Sequence, residues 1–394
     1  MTWSSPDGPG EPDEVGFGSP RPPRRRWPRG PLILGGAAVI AVAAVLTLGR
    51  HPVKPVPVHL QVTVTEVGHR LLGVRAGWEL LGYGPDRAVR VQLARGRVTQ
   101  TVVPGLGSTG PFSFVAGPGQ VIVRPWDVEP GYLVADGQPA RPLPSVLGQG
   151  GQILPGPRPG EVWVQTRPRT LTLIRLDGGR TGVSMLLPAG GWWLATPNGR
   201  GAVLLSGAGE IYDVWPGGSR RIGGMLAAVG PTRWLTVTCN RPHRCADVVI
   251  DPATGTQRQL GGPPVASVSA SSPGVITPDG TTAAVFRVTA GGQVTLHLVN
   301  LASGADQRIA VPLSQGVARP GTLAWSPDGR WLFVITGQGR LAAVNARTRQ
   351  TEGLGVRLPW LSQIATRPAN SGSPGGHDPA PRQAGPDARP EIPV

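Results

Sequence analysis

Two hydrophobic rhythms divide the chain. Residues 31–48, PLILGGAAVIAVAAVLTL, are apolar almost throughout and carry no charged side chain. At 1.5 Å of rise per residue, these 18 residues span about 27 Å as a helix, close to the hydrocarbon thickness of a bilayer. A backbone in lipid must satisfy its own hydrogen bonds, so the pattern predicts a transmembrane helix over 31–49. From residue 59 onward the apolar runs are short and rich in Val, Leu, Ile, Thr and Trp. Gly, Pro and Asp separate them. Such runs predict many short strands joined by tight turns.

The second rhythm repeats. LAWSPDGRWLFVITGQGRLAAVNARTRQTEGL (323–354) shows the unit most fully. LAW is followed by the turn SPDG, RWLFVI by GQG and LAAVNA by RTRQ, and a short last run ends at Leu354. In the first turn Pro327 fixes φ, Asp328 supplies a side-chain acceptor and Gly329 tolerates positive φ. Pro278, Asp279 and Gly280 hold the same places in ITPDGTTAAVF (276–286). Segments 195–223 and 233–260 follow the same grammar, and DPATGTQRQL (251–260) matches NLASGADQRI (300–309). Weaker units lie at 72–103, 112–143 and 160–187. Unit starts near 72, 112, 160, 192, 232, 274 and 322 are spaced by about 42 residues, the length of a four-stranded propeller blade. The expected fold class is therefore all-β: a β-propeller of seven four-stranded blades over 59–366, preceded by a single transmembrane helix. HLQVTVTE (59–66) and PWLSQIAT (359–366) bracket the set. They are expected to pair and close the ring, because an open array would leave bare strand edges.

On these residues the SPDGRWLFV and TPDGTTAAVF units resemble the repeats of TolB-like and WD40-like propellers. The resemblance implies a propeller. It implies no single activity, because that family includes scaffolds, receptors and regulatory domains.

Composition alters this picture mainly at the ends. Gly 59 and Pro 45 are levels that signal disorder where no pattern accompanies them. Residues 1–30 and 367–394 have no such pattern and are expected to be disordered tails, and 50–58 is expected to be a stiff Pro-rich linker. Formal net charge is +15, and Lys54 is the only lysine. This arginine bias fits the coding habit of a GC-rich, for example actinobacterial, genome. Arg21, Arg24, Arg25, Arg26 and Arg29 precede the apolar run, and only Arg50 and Lys54 closely follow it. The positive-inside rule then places the N-terminus in the cytoplasm and the propeller outside, on a single-pass cell-membrane anchor. A cleaved signal peptide is disfavoured, because the run is long and Ala41-Val42-Ala43 falls inside it. Nucleic acid is not an expected partner: the basic residues are scattered and the body lies outside the cell.

Candidate chemistry is sparse. Cys239 and Cys245 are the only cysteines and are expected to form a disulfide, in preference to a metal site with His243. GLGSTG (105–110) resembles a phosphate-binding glycine pattern, but PFSFVAGPG after it cannot start the helix such a site requires. No nucleophile-elbow, zinc-protease or P-loop motif occurs, and the histidines are dispersed. His297, in TLHLVNL, reads as a strand residue, and Asp279 and Asp328 read as turn residues. No catalytic residue, metal or cofactor is expected, and no enzymatic activity. Most tryptophans suit packing between blades, whereas Trp192, Trp193 and Trp234 form a candidate binding platform. The leading expectation is an envelope scaffold that presents loops to a protein or glycan partner. The alternatives are an extracytoplasmic lyase or hydrolase with its site at the channel, and a regulatory ectodomain of a membrane sensor.

Overall fold

The computed structural model describes residues 61–369 apart from 76, 105–111, 126–130, 149–151, 190–192, 198–202, 208–209, 242–243, 262–272, 290, 314–319 and 338. The apolar segment 31–48, the linker, the tail expected at 1–30, nearly all of that at 367–394, and GLGSTG lie outside the described residues. Among those described, no helix is long and apolar enough to cross a membrane. The described strands belong to one compact unit, Val56–Val394. Its described helical elements include a single turn at Ser145–Gly148 and a 3-10 turn at Leu71–Gly73.

The strand Trp331–Ile335, WLFVI, shows why the sequence builds stacked sheets. All five of its residues are buried. Successive side chains of a strand point to opposite faces. Trp331, Phe333 and Ile335 pack with Trp78, Leu80, Val89 and Val91 of the sheet that contains Trp78–Tyr83. Leu332 and Val334 pack on the other side with Phe286, Leu296 and Leu298. Both faces of the strand are therefore covered, because a sheet lies against each side.

Sheets at 112–142, 153–186, 193–222 and 323–352 are four-stranded and antiparallel. Between them runs an eight-stranded sheet made of two meanders, 225–259 and 274–309. They join where their first strands, Met225–Val229 and Gly274–Ile276, pair in parallel. The remaining sheet has five strands in the order Val62–Glu66, Arg97–Val102, Arg87–Gln92, Trp78–Tyr83 and Gln363–Pro368.

Apolar clusters link these sheets one after another. Tyr83 and Ala88 meet Val121 and Val123. Val115 and Ile122 meet Val162 and Ile174. Trp163 and Leu171 meet Val214, and Ile211 meets Trp234 and Ile250. Leu235 and Val249 meet Ile276 and Val285, Phe286 meets Trp325, and Phe333 returns to Trp78. Trp78 and Phe333 touch edge to face with ring centroids 5.8 Å apart. The unit is all-β and propeller-like, and its last sheet packs on its first.

Three expectations about boundaries require correction. The units placed at 160 and 232 begin one strand earlier, at Ile153–Pro155 and Met225–Val229. Neither of these strands is followed by an SPDG-type turn, so the pattern locked onto the next strand. Near residue 72 there is a 3-10 turn, and the strand completing that sheet comes from Gln363–Pro368. The two bracketing segments share this sheet but do not pair with each other: Val62–Glu66 pairs with Arg97–Val102, and Gln363–Pro368 with Trp78–Tyr83. Trp78–Tyr83 is buried along its whole length, so both of its edges need a partner.

A charged cluster secures that closure. Glu79 is 0% exposed and stands opposite Arg367 in the register. Its carboxylate accepts from Arg90 Nε at 2.8 Å and from Arg367 Nη2 at 3.0 Å. Arg367 also donates to the carbonyls of Gly117 and Gln120 and to Asp136. One guanidinium thus ties the closing strand to its own sheet and to the next.

Candidate functional site

Turns at one end of the meanders carry the polar chemistry. At 277–280 the Gly280 N–H donates to the Thr277 carbonyl at 2.9 Å, with Gly280 at φ +74°. Asp279 Oδ1 accepts from the Thr281 N–H at 3.0 Å and from the Thr277 and Thr281 hydroxyls. At 326–329 Asp328 Oδ1 accepts from the Ser326 hydroxyl and from the Arg330 N–H at 3.1 Å, while Gly329 N–H donates to Ser326. Pro278, Asp279, Gly280 and Pro327, Asp328, Gly329 lie in these two turns.

A neighbouring turn at the same end of each meander has its own device. Asp251 Oδ1 accepts from the Ala253 and Thr254 N–H groups, Asn300 Oδ1 from Ala302 and Ser303, and Asn345 Oδ1 from Arg347 and Thr348. A residue at positive φ closes each turn: Gly255, Gly304 and, unusually, Arg349 at φ +62°.

Where the meanders 225–259 and 274–309 adjoin, these corners enclose a cleft of about 580 Å³. Thr232, Thr254, Thr256 and Thr281 place hydroxyls on it, and the buried Val249 and Leu301 supply apolar wall. Two guanidiniums line it, each already engaged. Arg233 Nη1 donates to Asp251 Oδ2 at 2.7 Å. Arg258 reaches across to the adjoining meander, donating to the carbonyls of Ala302 and Leu301. The N–H groups of Ala253 and Thr254, then Arg233, hold the Asp251 carboxyl below the usual range. The Thr277 hydroxyl does most to lower Asp279, and Thr281 adds to it. Both acids are thus ionised acceptors at neutral pH. Gly280 packs closely at the cleft: a Cβ there would stand 2.6 Å from the Thr232 hydroxyl.

Other expected site residues lie apart from it. Cys239 and Cys245 sit opposite one another in the hairpin of Trp234–Arg241 and Arg244–Ile250 and form a disulfide. His243 lies outside the described residues. His297 hydrogen-bonds Asp306 at 2.6 Å and Thr295 at 3.0 Å within its sheet. Trp234 is 0% exposed. It belongs to the core between two sheets, which corrects its place in an exposed platform. Trp192 lies outside the described residues, and Trp193 opens the strand Trp193–Pro197. Among the described residues, Trp215 and Trp360 reach solvent, at 39% and 45% exposure. Among the described residues no group of three or more His, Cys, Asp and Glu could hold a metal ion. Arg233, Asp251, Arg258 and the cleft threonines were not singled out from the sequence. The signal available was the match between DPATG and NLASG, residues of which line the same cleft because their meanders adjoin.

No protein-family model matches this sequence, and no curated protein sequence does. Among solved structures, the backbone is similar to an oligogalacturonate lyase in complex with manganese at 14% identity, covering 72% of this chain and 89% of that one, with a TM-score of 0.47. It is also similar to TolB from Acinetobacter baumannii (12% identity, 74% and 82% covered, TM-score 0.42). Apo AztD from Citrobacter koseri is a third (13% identity, 74% and 97% covered, TM-score 0.40). TolB, to whose repeats the SPDG units were likened, is thus among the chains of similar backbone, and the likeness concerns architecture alone. The expectation of no enzymatic activity is corrected at this point. An enzyme, the lyase, is among these chains, so the architecture gives no ground for excluding catalysis.

Proposed function

We propose that this chain is a cell-envelope binding protein, a seven-bladed propeller held outside the membrane by the 31–48 helix, which engages a protein or glycan partner through its turn-bearing end. The observation that carries the reading is the polar cleft between the meanders 225–259 and 274–309. It is preorganised by turn hydrogen bonds, and its volume of about 580 Å³ lies within the range of about 300–1,000 Å³ typical of ligand sites. Seven blades follow if the eight-stranded sheet is divided at its parallel pair and Gln363–Pro368 is counted with Trp78–Tyr83. The membrane location draws on the apolar run and its flanking arginines. The Cys239–Cys245 bond suits an oxidising compartment.

The test is capture of a partner from envelope extracts by the full-length chain, beside the variant Ala302→Trp. Ala302 is exposed on the cleft wall, so an indole there fills the cleft without entering the core. The expected result is recovery of a partner by the wild type and its loss with Ala302→Trp. Equal recovery by both would sink the reading.

A further inference from the structure

We infer that the cleft between the meanders 225–259 and 274–309 binds a neutral oligosaccharide; the inference rests on the reading of this chain as a binding protein and names the ligand class. Three properties of the cleft converge on that class.

The first is charge. Arg233 is closed onto Asp251 at 2.7 Å, and Arg258 spends its guanidinium on the carbonyls of Leu301 and Ala302. Two arginines and two aspartates line the cleft, so the formal charges cancel. An anionic ligand would compete with Asp251 for Arg233, and a cationic one with Arg233 for Asp251. A neutral ligand does neither, and the charged pair can still offer it strong hydrogen bonds.

The second is the pattern of hydroxyls. Thr254 Oγ1 donates to Thr256 Oγ1 at 2.8 Å, and Thr281 Oγ1 donates to Asp279 at 2.9 Å. Thr254 Oγ1 also accepts from the Thr256 N–H at 3.2 Å and keeps a second lone pair for a ligand; Thr281 likewise offers a lone pair, whereas Thr256 keeps its own proton to donate. A hydroxyl both donates and accepts, so a polyol can meet this alternation where a ligand of one polarity cannot.

The third is the apolar wall. Val249 and Leu301 are buried at 6% and 4% exposure and line the same cleft. Sugar rings carry hydroxyls on their rim and C–H bonds on their faces, and hydroxylated turns beside aliphatic wall match both.

The experiment titrates the full-length chain, in a detergent without a sugar headgroup, with maltohexaose, cellohexaose and mannohexaose, using hexagalacturonate as the anionic comparison. At least one neutral hexasaccharide is expected to bind. Raising salt from about 50 to about 500 mM is expected to alter its affinity less than about twofold, because the ligand carries no charge to screen. Ala302→Trp is expected to weaken binding by about tenfold or more, as filling a preformed site does. Thr254→Val keeps the cleft open and removes one acceptor; it is expected to cost about three- to tenfold, the worth of one hydrogen bond. Failure of every neutral hexasaccharide to bind at about 10 mM, where even a millimolar site would show, would overturn the inference. So would affinity unchanged in both variants, or preference for hexagalacturonate with steep salt dependence. If Ala302→Trp abolishes envelope capture while no neutral sugar binds or competes, the ligand class falls and the binding-protein reading stands.

Discussion

Arg349 holds a backbone conformation that its sister turns give to glycine. Its N–H donates to the Asn345 carbonyl at 2.7 Å, as Gly255 donates to Asp251 and Gly304 to Asn300. A Cβ in the left-handed region costs roughly 1–2 kcal/mol, and glycine returns part of that through its freer unfolded chain. Arg349→Gly is therefore expected to stabilise the protein by about 0.5 kcal/mol, read as a higher urea midpoint at unchanged slope. Gly304 is the converse case. Any Cβ there collides with the Gly261 carbonyl, so Gly304→Ala is expected to cost about 2 kcal/mol or more in the same assay. At this scale the sequence was legible wherever a residue acts on its own neighbours. Asp279, Gly280, Asp328 and Gly329 do what their local pattern implied, because turn chemistry spans only four residues. Trp234 did not, because burial depends on the sheet opposite, and Arg233 did not, because its partner Asp251 lies in a separate turn 18 residues on.

At the scale of elements, the hairpin carrying Cys239 and Cys245 is the clearest case. The two residues are 6 apart in sequence, and closing so short a loop restrains the unfolded chain by about 2–3 kcal/mol. Cys239→Ser/Cys245→Ser is expected to lower stability by about that amount, measured as loss of urea resistance with the fold retained by circular dichroism. Intact-mass analysis of the native protein should show the bonded form, two hydrogens lighter than the dithiol. Strands beginning at Phe112, Trp193, Gly274 and Leu323 start where the repeat indicated. Ile153–Pro155 and Met225–Val229 were lost to it, because their signal is a few apolar residues that any buried strand shares. Nor could periodicity show that the first strand of one sheet lies some 280 residues away from the others: Arg367 reaches Glu79 over a separation of 288.

For the whole molecule, closure and acid stability meet at Glu79. Burial pushes its carboxyl up, but Arg90 and Arg367 outweigh burial and leave it below its ordinary 4.5. A carboxyl lowered in the folded state contributes its full stability above the unfolded value, and loses that contribution as pH falls through the folded one. Glu79→Gln leaves two arginines short of a counter-charge and is expected to destabilise by about 3–5 kcal/mol at neutral pH. The gap to wild type should narrow as urea melts are taken from about pH 7 to about pH 3; a constant gap would count against this role. The membrane reading is checked by protease added to intact cells, which should reach positions beyond residue 50 and spare the N-terminal tail. Closure also has a consequence in time. The edge of Trp78–Tyr83 that Gln363–Pro368 covers emerges early in synthesis, and its partner almost three hundred residues later. At some 5–20 residues per second that delay is on the order of tens of seconds. Throughout it the strand Trp78–Tyr83, buried in the finished protein, has one edge without its native partner, and a bare edge of this kind is a template for pairing with other chains.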